Sequence, residues 1–241
     1  MEKLNIRSLE KLISWPQNRR IAFLSDIEWV KQIIQAVMMA KILSEIGNIK
    51  IILVDYSKTF LPEVLENVEK EYGASIMENI LISNSLKFNV SNKVSLHIHN
   101  PSANEKTIHD FRENIFKVSS LFTIITDNKS SRALRQVRGL LKVYCSRVSQ
   151  NVFMFKAILD KAMLEVSSRG IRDIYSILPE GLRKILRLLR EASIEYGPLT
   201  VSDAVTIISH SIGVKRNVAH KILVKLTKYG AIKIEKNIIV I

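Results

Sequence analysis

Short apolar runs alternating with longer helix-like stretches constrain this chain more than any other feature. The runs are Ile21-Ala22-Phe23-Leu24, Lys50 to Val54, Ile80-Leu81-Ile82, Val94 to Ile98, Leu121 to Thr126 and Val152 to Ala157. Each is too short for a helix and has the unbroken hydrophobicity of a strand buried on both faces. Between them lie helical patterns. Residues 28–46 are rich in Ile, Val, Met and Ala and close at Gly47. Pro62 opens a helix through Tyr72 that Gly73 ends, the proline-in, glycine-out asymmetry. A helix near 104–118 and a basic helix over 130–148 complete the set. A short first helix around Leu9, Leu12 and Ile13 stops at Trp15-Pro16, because proline disfavours helix in the residue before it. Strands and helices in this alternation predict an α/β domain with a mostly parallel sheet flanked by helices.

Residues 166–178 lose the period and read as a connector between a domain over 1–165 and a second over 179–241. Pro179 begins a helix to about 195 with Leu182, Ile185, Leu186, Leu188 and Leu189 inside, and Gly197-Pro198 breaks it. Thr200 caps a second helix to about 210. Gly213 turns the chain into a third helix over 215–229. Ile232, Ile234 and Ile238 to Ile241 then flank the tight turn Glu235-Lys236-Asn237. Three helices and a hairpin in this order are the layout of a winged helix-turn-helix. On its third helix Val218, Ile222, Val224 and Leu226 are assigned inward. Lys215, Arg216, Asn217, His220, Lys221, Lys225 and Lys228 are left for the outer surface, with Lys233 and Lys236 on the wing. Such modules place that helix in the major groove of DNA, with long cations on phosphates. The same layout also serves as a protein-docking or dimerisation module.

Charge supports the nucleic-acid reading. The net charge is +13, and none of it comes from residues 1–127, where 15 basic and 15 acidic side chains cancel. Residues 128–178 carry +7 and residues 179–241 carry +6. A one-sided basic field of this size favours a polyanion. Hydrophobic residues make up 47% of the chain and charged residues 24%, which excludes wholesale disorder. No apolar stretch is long enough to span a bilayer, so no membrane partner is expected. Met1-Glu2-Lys3-Leu4-Asn5 offers no signal-peptide core. A lone cysteine, Cys145, provides neither an internal disulfide nor a multi-Cys zinc site. These readings predict a cytoplasmic protein.

Seven segments, in order over about 155 residues, resemble the RecA/RadA recombinase ATPases, especially the archaeal RadA type and its paralogs. Ser8-Leu9-Glu10-Lys11-Leu12-Ile13 is similar to the "SxxLDxLLGGG" motif that opens that ATPase core. Ile21 to Leu24 resembles the strand before its phosphate loop, and Gln32 to Met38 the helix after it. Ile52-Leu53-Val54-Asp55-Tyr56-Ser57-Lys58-Thr59-Phe60-Leu61-Pro62-Glu63 is similar to "xxxIDTEGTFRPER", and Glu78 to Ile82 follows as "xNIxVARA" does. Thr123 to Asp127 resembles the Walker B strand, and Ser131 to Leu141 resembles "GRGxLAxRQxxL". The resemblance implies a RecA-like core and partners such as a RadA-like recombinase, or self-association.

Departures from the family pattern remove its chemistry. A phosphate loop needs glycines for a backbone cradle, a lysine for the β/γ charge and a hydroxyl for Mg²⁺. The corresponding stretch, Ser25-Asp26-Ile27-Glu28-Trp29-Val30-Lys31, has no glycine, and Asp26 and Glu28 repel phosphate. Val30 falls where the lysine belongs and Lys31 where the hydroxyl belongs. The alternative is that Lys31 substitutes for the lost lysine. Ser57 replaces the water-polarising glutamate, and Asp127 lies one position late. No catalytic residue, cofactor or metal is therefore expected. His97, His99 and His109 could meet at a metal, but surface histidines are the simpler reading. Asp55 reads as a structural carboxylate. Arg132, Arg135, Arg138 and Lys142 recur at helical spacing and form either a second phosphate stripe or a solvated helix face. The expected function is a non-catalytic DNA-binding accessory protein in recombination or repair. The alternative is a transcriptional regulator whose α/β domain senses a ligand or dimerises.

Overall fold

The computed structural model describes residues 6–86, 94–115, 117–135, 137–158 and 160–240. Met1 to Asn5, Gln136 and Ile241, used in the readings above, lie outside these, as does residue 116 of the expected helix 104–118. The first element is helix α1 (Arg7–Leu12), followed by β1 (Arg20–Leu24), α2 (Glu28–Ile46) and β2 (Lys50–Asp55). Next come α3 (Pro62–Tyr72), α4 (Ile76–Asn79), β3 (Ile80–Ser83), β4 (Val94–His99), α5 (Glu105–Asn114) and β5 (Phe122–Asp127). Four strands follow without a long helix between them: β6 (Leu141–Arg147), β7 (Val152–Lys156), β8 (Lys161–Ser167) and β9 (Gly170–Asp173).

These nine strands form one sheet in the order β3-β2-β4-β5-β1-β6-β7-β8-β9. Strands β3 to β6 are parallel, and β6 to β9 continue as an antiparallel meander. Alternate side chains of each central strand enter different cores. Ile21 and Phe23 face α1, α2 and α3, whereas Ala22 and Leu24 face α5. Burial on both faces is why these strands read as continuous apolar runs. Helix α2 lies against β4 and β5 and also touches α3, β8 and β9, so the sheet curls around it. A helix enclosed in this way must be apolar nearly all round, and its residues 30–42 are all buried. At the far edge, the Tyr72 hydroxyl donates to the Ile171 carbonyl (3.0 Å) and accepts from the Ile171 N–H (3.1 Å). Gly170, at φ +138°, lies directly against that ring.

Two sequence expectations fail here. The basic helix over 130–148 does not form. Residues 133–135 make a turn, Gly139 adopts φ +73°, and residues 141–147 are strand β6. The cations suggested a helical spacing, but the apolar residues Leu141, Val143 and Cys145 recur every second position, the strand period. Residues 166–178 are likewise no irregular connector. β8 ends within them, β9 pairs with it, and helix α6 (Ile174–Ile177) follows. Val166, Ile171, Ile174 and Leu178 are buried.

Beyond Leu178 come α7 (Glu180–Tyr196), α8 (Val201–Ile212), α9 (Arg216–Lys228) and the antiparallel pair β10 (Lys233–Glu235) and β11 (Ile238–Val240). Thr200 caps α8 by accepting from the Asp203 N–H while Asp203 bonds back to Thr200, a capping box. Gly213, in the left-handed conformation, ends α8. Ile185, Leu186 and Leu189 of α7, Ala204 and Ile208 of α8, and Ala219, Leu223 and Leu226 of α9 share one core. Val152, Ile174 and Leu178 belong to that same core. A Cβ on Gly230 would approach Val152 to 2.6 Å. The C-terminal unit is therefore packed against β7, not tethered to it. The inward face assigned to α9 also needs correction. Val218 and Val224 are exposed, and Ala219, Leu223 and Leu226, at i, i+4 and i+7, fill the core.

Candidate functional site

Two places hold the chemistry the sequence singled out. The first is the crevice at the carboxyl ends of the parallel strands. Chain order reverses there: β1 feeds α2 on one face of the sheet and β4 feeds α5 on the other. Open α/β sheets bind ligands at such a switch point. The Ser25 N–H bonds the Asp127 carbonyl (2.9 Å), which brings the β1–α2 loop beside the tip of β5.

Lys31 projects into this crevice from α2 with only 2% exposure. An ammonium has three protons to donate. Lys31 Nζ has three acceptors: Glu28 Oε2 at 2.8 Å, Asn100 Oδ1 at 2.5 Å and Asn128 Oδ1 at 3.0 Å. Glu28 Oε1 in turn accepts from His99 Nε2 (2.6 Å), Thr59 Oγ1 (2.9 Å) and Asn100 Nδ2 (3.1 Å). Burial opposes ionisation of Glu28, but hydrogen bonds from His99, Lys31 and Asn100 hold its carboxyl far below the usual range. His99 Nδ1 closes the network on Thr126 Oγ1 (2.8 Å). The remaining open depression, about 430 Å³, carries Asp26, Glu28 and Asp127 on its lining against the single cation Lys31. Asp26 is itself paired with Lys129 (3.7 Å).

The other positions singled out beside Lys31 are also engaged internally. Asp55 accepts from the N–H groups of Ser57 (3.2 Å), Lys58 (3.0 Å) and Phe60 (2.9 Å), so it shapes the turn after β2. Ser57 Oγ donates to Asp55 (2.9 Å). Asp127, buried, accepts from Ser102 Oγ (2.6 Å), Ser131 Oγ (2.5 Å) and its neighbour's N–H (2.9 Å). His97 and His99, expected at the surface, are completely buried. His109 is exposed and faces Glu113 at 3.2 Å. Among the described residues no three metal-binding side chains converge. Cys145 is buried, and burial pushes its thiol up to about 12. Such a thiol is unreactive at neutral pH.

The second place is the C-terminal surface. Lys215, Arg216, Asn217, His220, Lys221, Lys225 and Lys228 are all exposed along α9. No acidic residue lies on that helix. Lys236 occupies the hairpin tip at φ +47°, and Lys233 is held by Glu235 at 2.5 Å. The cations of 132–142 do not join one stripe. Arg132 pairs with Glu105 (2.8 Å), Arg135 and Arg138 are exposed on the loop, and Lys142 bends back to the Leu134 carbonyl (3.1 Å).

Sequence reasoning missed the Lys31 network because its members come from four separate segments that only the sheet brings together. A buried lysine three residues after a glutamate was the one local signal. Among the described residues no helix is long and apolar enough to cross a membrane. Compared with protein-family models and with curated proteins, the chain matches none.

Proposed function

We propose that the chain is a non-catalytic DNA-binding accessory protein, a RadA/RecA-like paralog without ATPase residues that grips DNA through a C-terminal winged helix-turn-helix. The observation that carries this reading is α9, a helix with an acid-free, lysine-lined outer face. It follows α8 after a three-residue turn containing Gly213, as helix-turn-helix units require. A single antiparallel bridge joins Thr200, at the start of α8, to Ile238 of β11, which supports reading the hairpin as a wing. Lys236 at the tip lies on the same module as the helix. A role in recombination or repair rests on the family resemblance. The strand order supports it: β1, bearing the altered phosphate loop, lies beside β5, bearing Asp127. A nucleotide's phosphates and its Mg²⁺ need those two elements adjacent.

Loss of nucleotide chemistry follows from Lys31. Phosphate would have to displace Glu28, Asn100 and Asn128 from an ammonium already fully bonded, beside a loop with no glycine cradle. Calorimetric titration with Mg²⁺ and ATP is expected to show no saturable binding up to about 1 mM, a binding energy of only about 4 kcal/mol. ATP turnover abolished by Lys31→Ala would overturn this part of the reading.

Salt dependence tests the DNA part. Each phosphate contact adds about 0.9 to the slope of log K against log salt. Replacing Arg216 and Lys221 with Ala is expected to lower that slope by about 2 and weaken duplex binding across sequences. An unchanged slope and affinity would remove α9 from DNA binding and leave the module as a protein-docking surface.

A further inference from the structure

A cleft of about 280 Å³ opens where the C-terminal unit meets the sheet. One wall comes from α1 and the β7–β8 hairpin, the other from α7, β10 and β11. Four cations line it: Lys11, Lys161, Arg190 and Lys233. They come from four different elements, separated by up to 222 positions in the chain (Lys11 to Lys233). Asp160 is the carboxylate in the lining, and Glu235 engages Lys233. Lys11, Lys161 and Lys233 outnumber those two carboxylates. Among the described residues, neither Lys11 nor Lys161 lies within ion-pairing distance of a carboxylate. Burial lowers the pKa of Lys161; Glu235 works against this, and Arg190 and Lys156 add to it. The floor is apolar: Leu12, Met154, Met163 and Ile174.

Cations at a rim over a methionine-rich floor suit a ligand with two parts. A charge-assisted hydrogen bond holds an anionic head, and polarizable Met side chains accept a flat apolar body. The volume lies just under the usual 300–1,000 Å³ of small-molecule pockets. α9 contributes nothing to the lining, so this cleft is separate from the proposed α9 contact, although it shares Lys233 with the wing.

We propose that this interdomain cleft is a binding site for a small phosphate monoester with an apolar or aromatic body, held by Lys11 and Lys161. Its walls come from both units, so an occupant clamps the C-terminal unit onto the sheet and raises the stability of the whole chain.

The test uses the full chain and three probes: 1-naphthyl phosphate, inorganic phosphate and uncharged 1-naphthol. Calorimetry is expected to show saturable binding of naphthyl phosphate, with the other two at least about tenfold weaker, a loss of about 1.4 kcal/mol. Lys161→Gln and Lys11→Gln are each expected to weaken it by about tenfold. Both side chains are outside the buried cores, and an unchanged thermal midpoint without ligand shows that the variants fold. No saturable binding, equal binding of inorganic phosphate, or indifference to both substitutions would overturn the assignment. Displacement of the probe by duplex DNA, with Lys161→Gln weakening DNA as well, would also overturn it and give the cleft to the DNA backbone. Failure here leaves the α9 salt-slope result untouched, because the two sites share no residue of that helix.

Discussion

Gly170→Ala is expected to lower the unfolding free energy by about 3–4 kcal/mol, as much as a severe core substitution. Two separate effects combine at this position. Gly170 sits at φ +138°, outside the regions an L side chain adopts, and forcing one there costs about 1–3 kcal/mol. The new methyl group would also overlap the Tyr72 hydroxyl and ring. That hydroxyl bonds both backbone groups of Ile171 on edge strand β9, so moving it leaves a buried donor and acceptor unmet. Gly47 provides the control. It has φ +71°, and a Cβ there would meet nothing within 4 Å. Gly47→Ala carries the backbone strain alone and is expected to cost about 1 kcal/mol. Urea denaturation of both variants measures the difference. Equal losses would mean that Tyr72 yields freely and that β9 is not fastened by it.

The central strands were legible because both of their faces are buried, which leaves a signal in four or five consecutive residues. Helix α2 was legible for the same reason, and Gly47 and Gly73 marked helix ends correctly. The meander was harder. In β8, Ala162, Leu164 and Val166 are buried while Lys161, Met163 and Glu165 are not, so alternation is present but short. In β6 the alternation of Leu141, Val143 and Cys145 was overridden by cations that happened to fall three residues apart. On α9 the inward face was assigned to the larger residues, Val218 and Val224, whereas the helix turns alanine inward at Ala219. Close packing of α9 on α8 favours a small side chain there over a β-branched one. The candidate sites divide in the same way. Exposed lysines on one helix can be read from local sequence. A crevice built from Glu28, Lys31, His99, Asn100 and Asn128, or a cleft built from Lys11, Lys161, Arg190 and Lys233, exists only after the sheet has brought distant segments together.

Acid is expected to destabilise this protein well above the carboxylate range, and His97 is the reason. The side chain is completely buried, and burial lowers its pKa from 6.5 to about 3. Its hydrogen bonds fix the neutral ring. Gln35 Nε2 donates to the Ile98 carbonyl (2.8 Å), which turns Gln35 Oε1 toward His97 Nδ1 (2.7 Å) as an acceptor. Nδ1 therefore carries the proton, and Nε2 accepts from Ser95 Oγ (3.1 Å). Below pH 6.5 the unfolded chain takes up a proton at this position and the folded chain does not. Stability is then present in full above 6.5 and declines as pH falls toward about 3. The steepest slope a single group can give is about 1.4 kcal/mol per pH unit. Glu28 does not contribute in the upper part of this window. Its carboxyl is depressed, so its stabilisation is full above its ordinary 4.5 and is lost progressively only below it. Asp173, raised by burial, acts with the opposite sign, from its ordinary 3.8 upward. Urea midpoints between pH 7 and 5 are therefore expected to fall with a slope that His97→Gln flattens. The slope, not the absolute stability, is the readout, since the substitution also disturbs a packed core. Imidazole NMR supplies a measurement that needs no variant: the His97 ring should keep its Nδ1–H neutral form at pH 5 in the native protein. A His97 resonance titrating near 6.5 in the folded state would show that water or a counter-charge reaches the strand interior, and the acid sensitivity would then belong to another group.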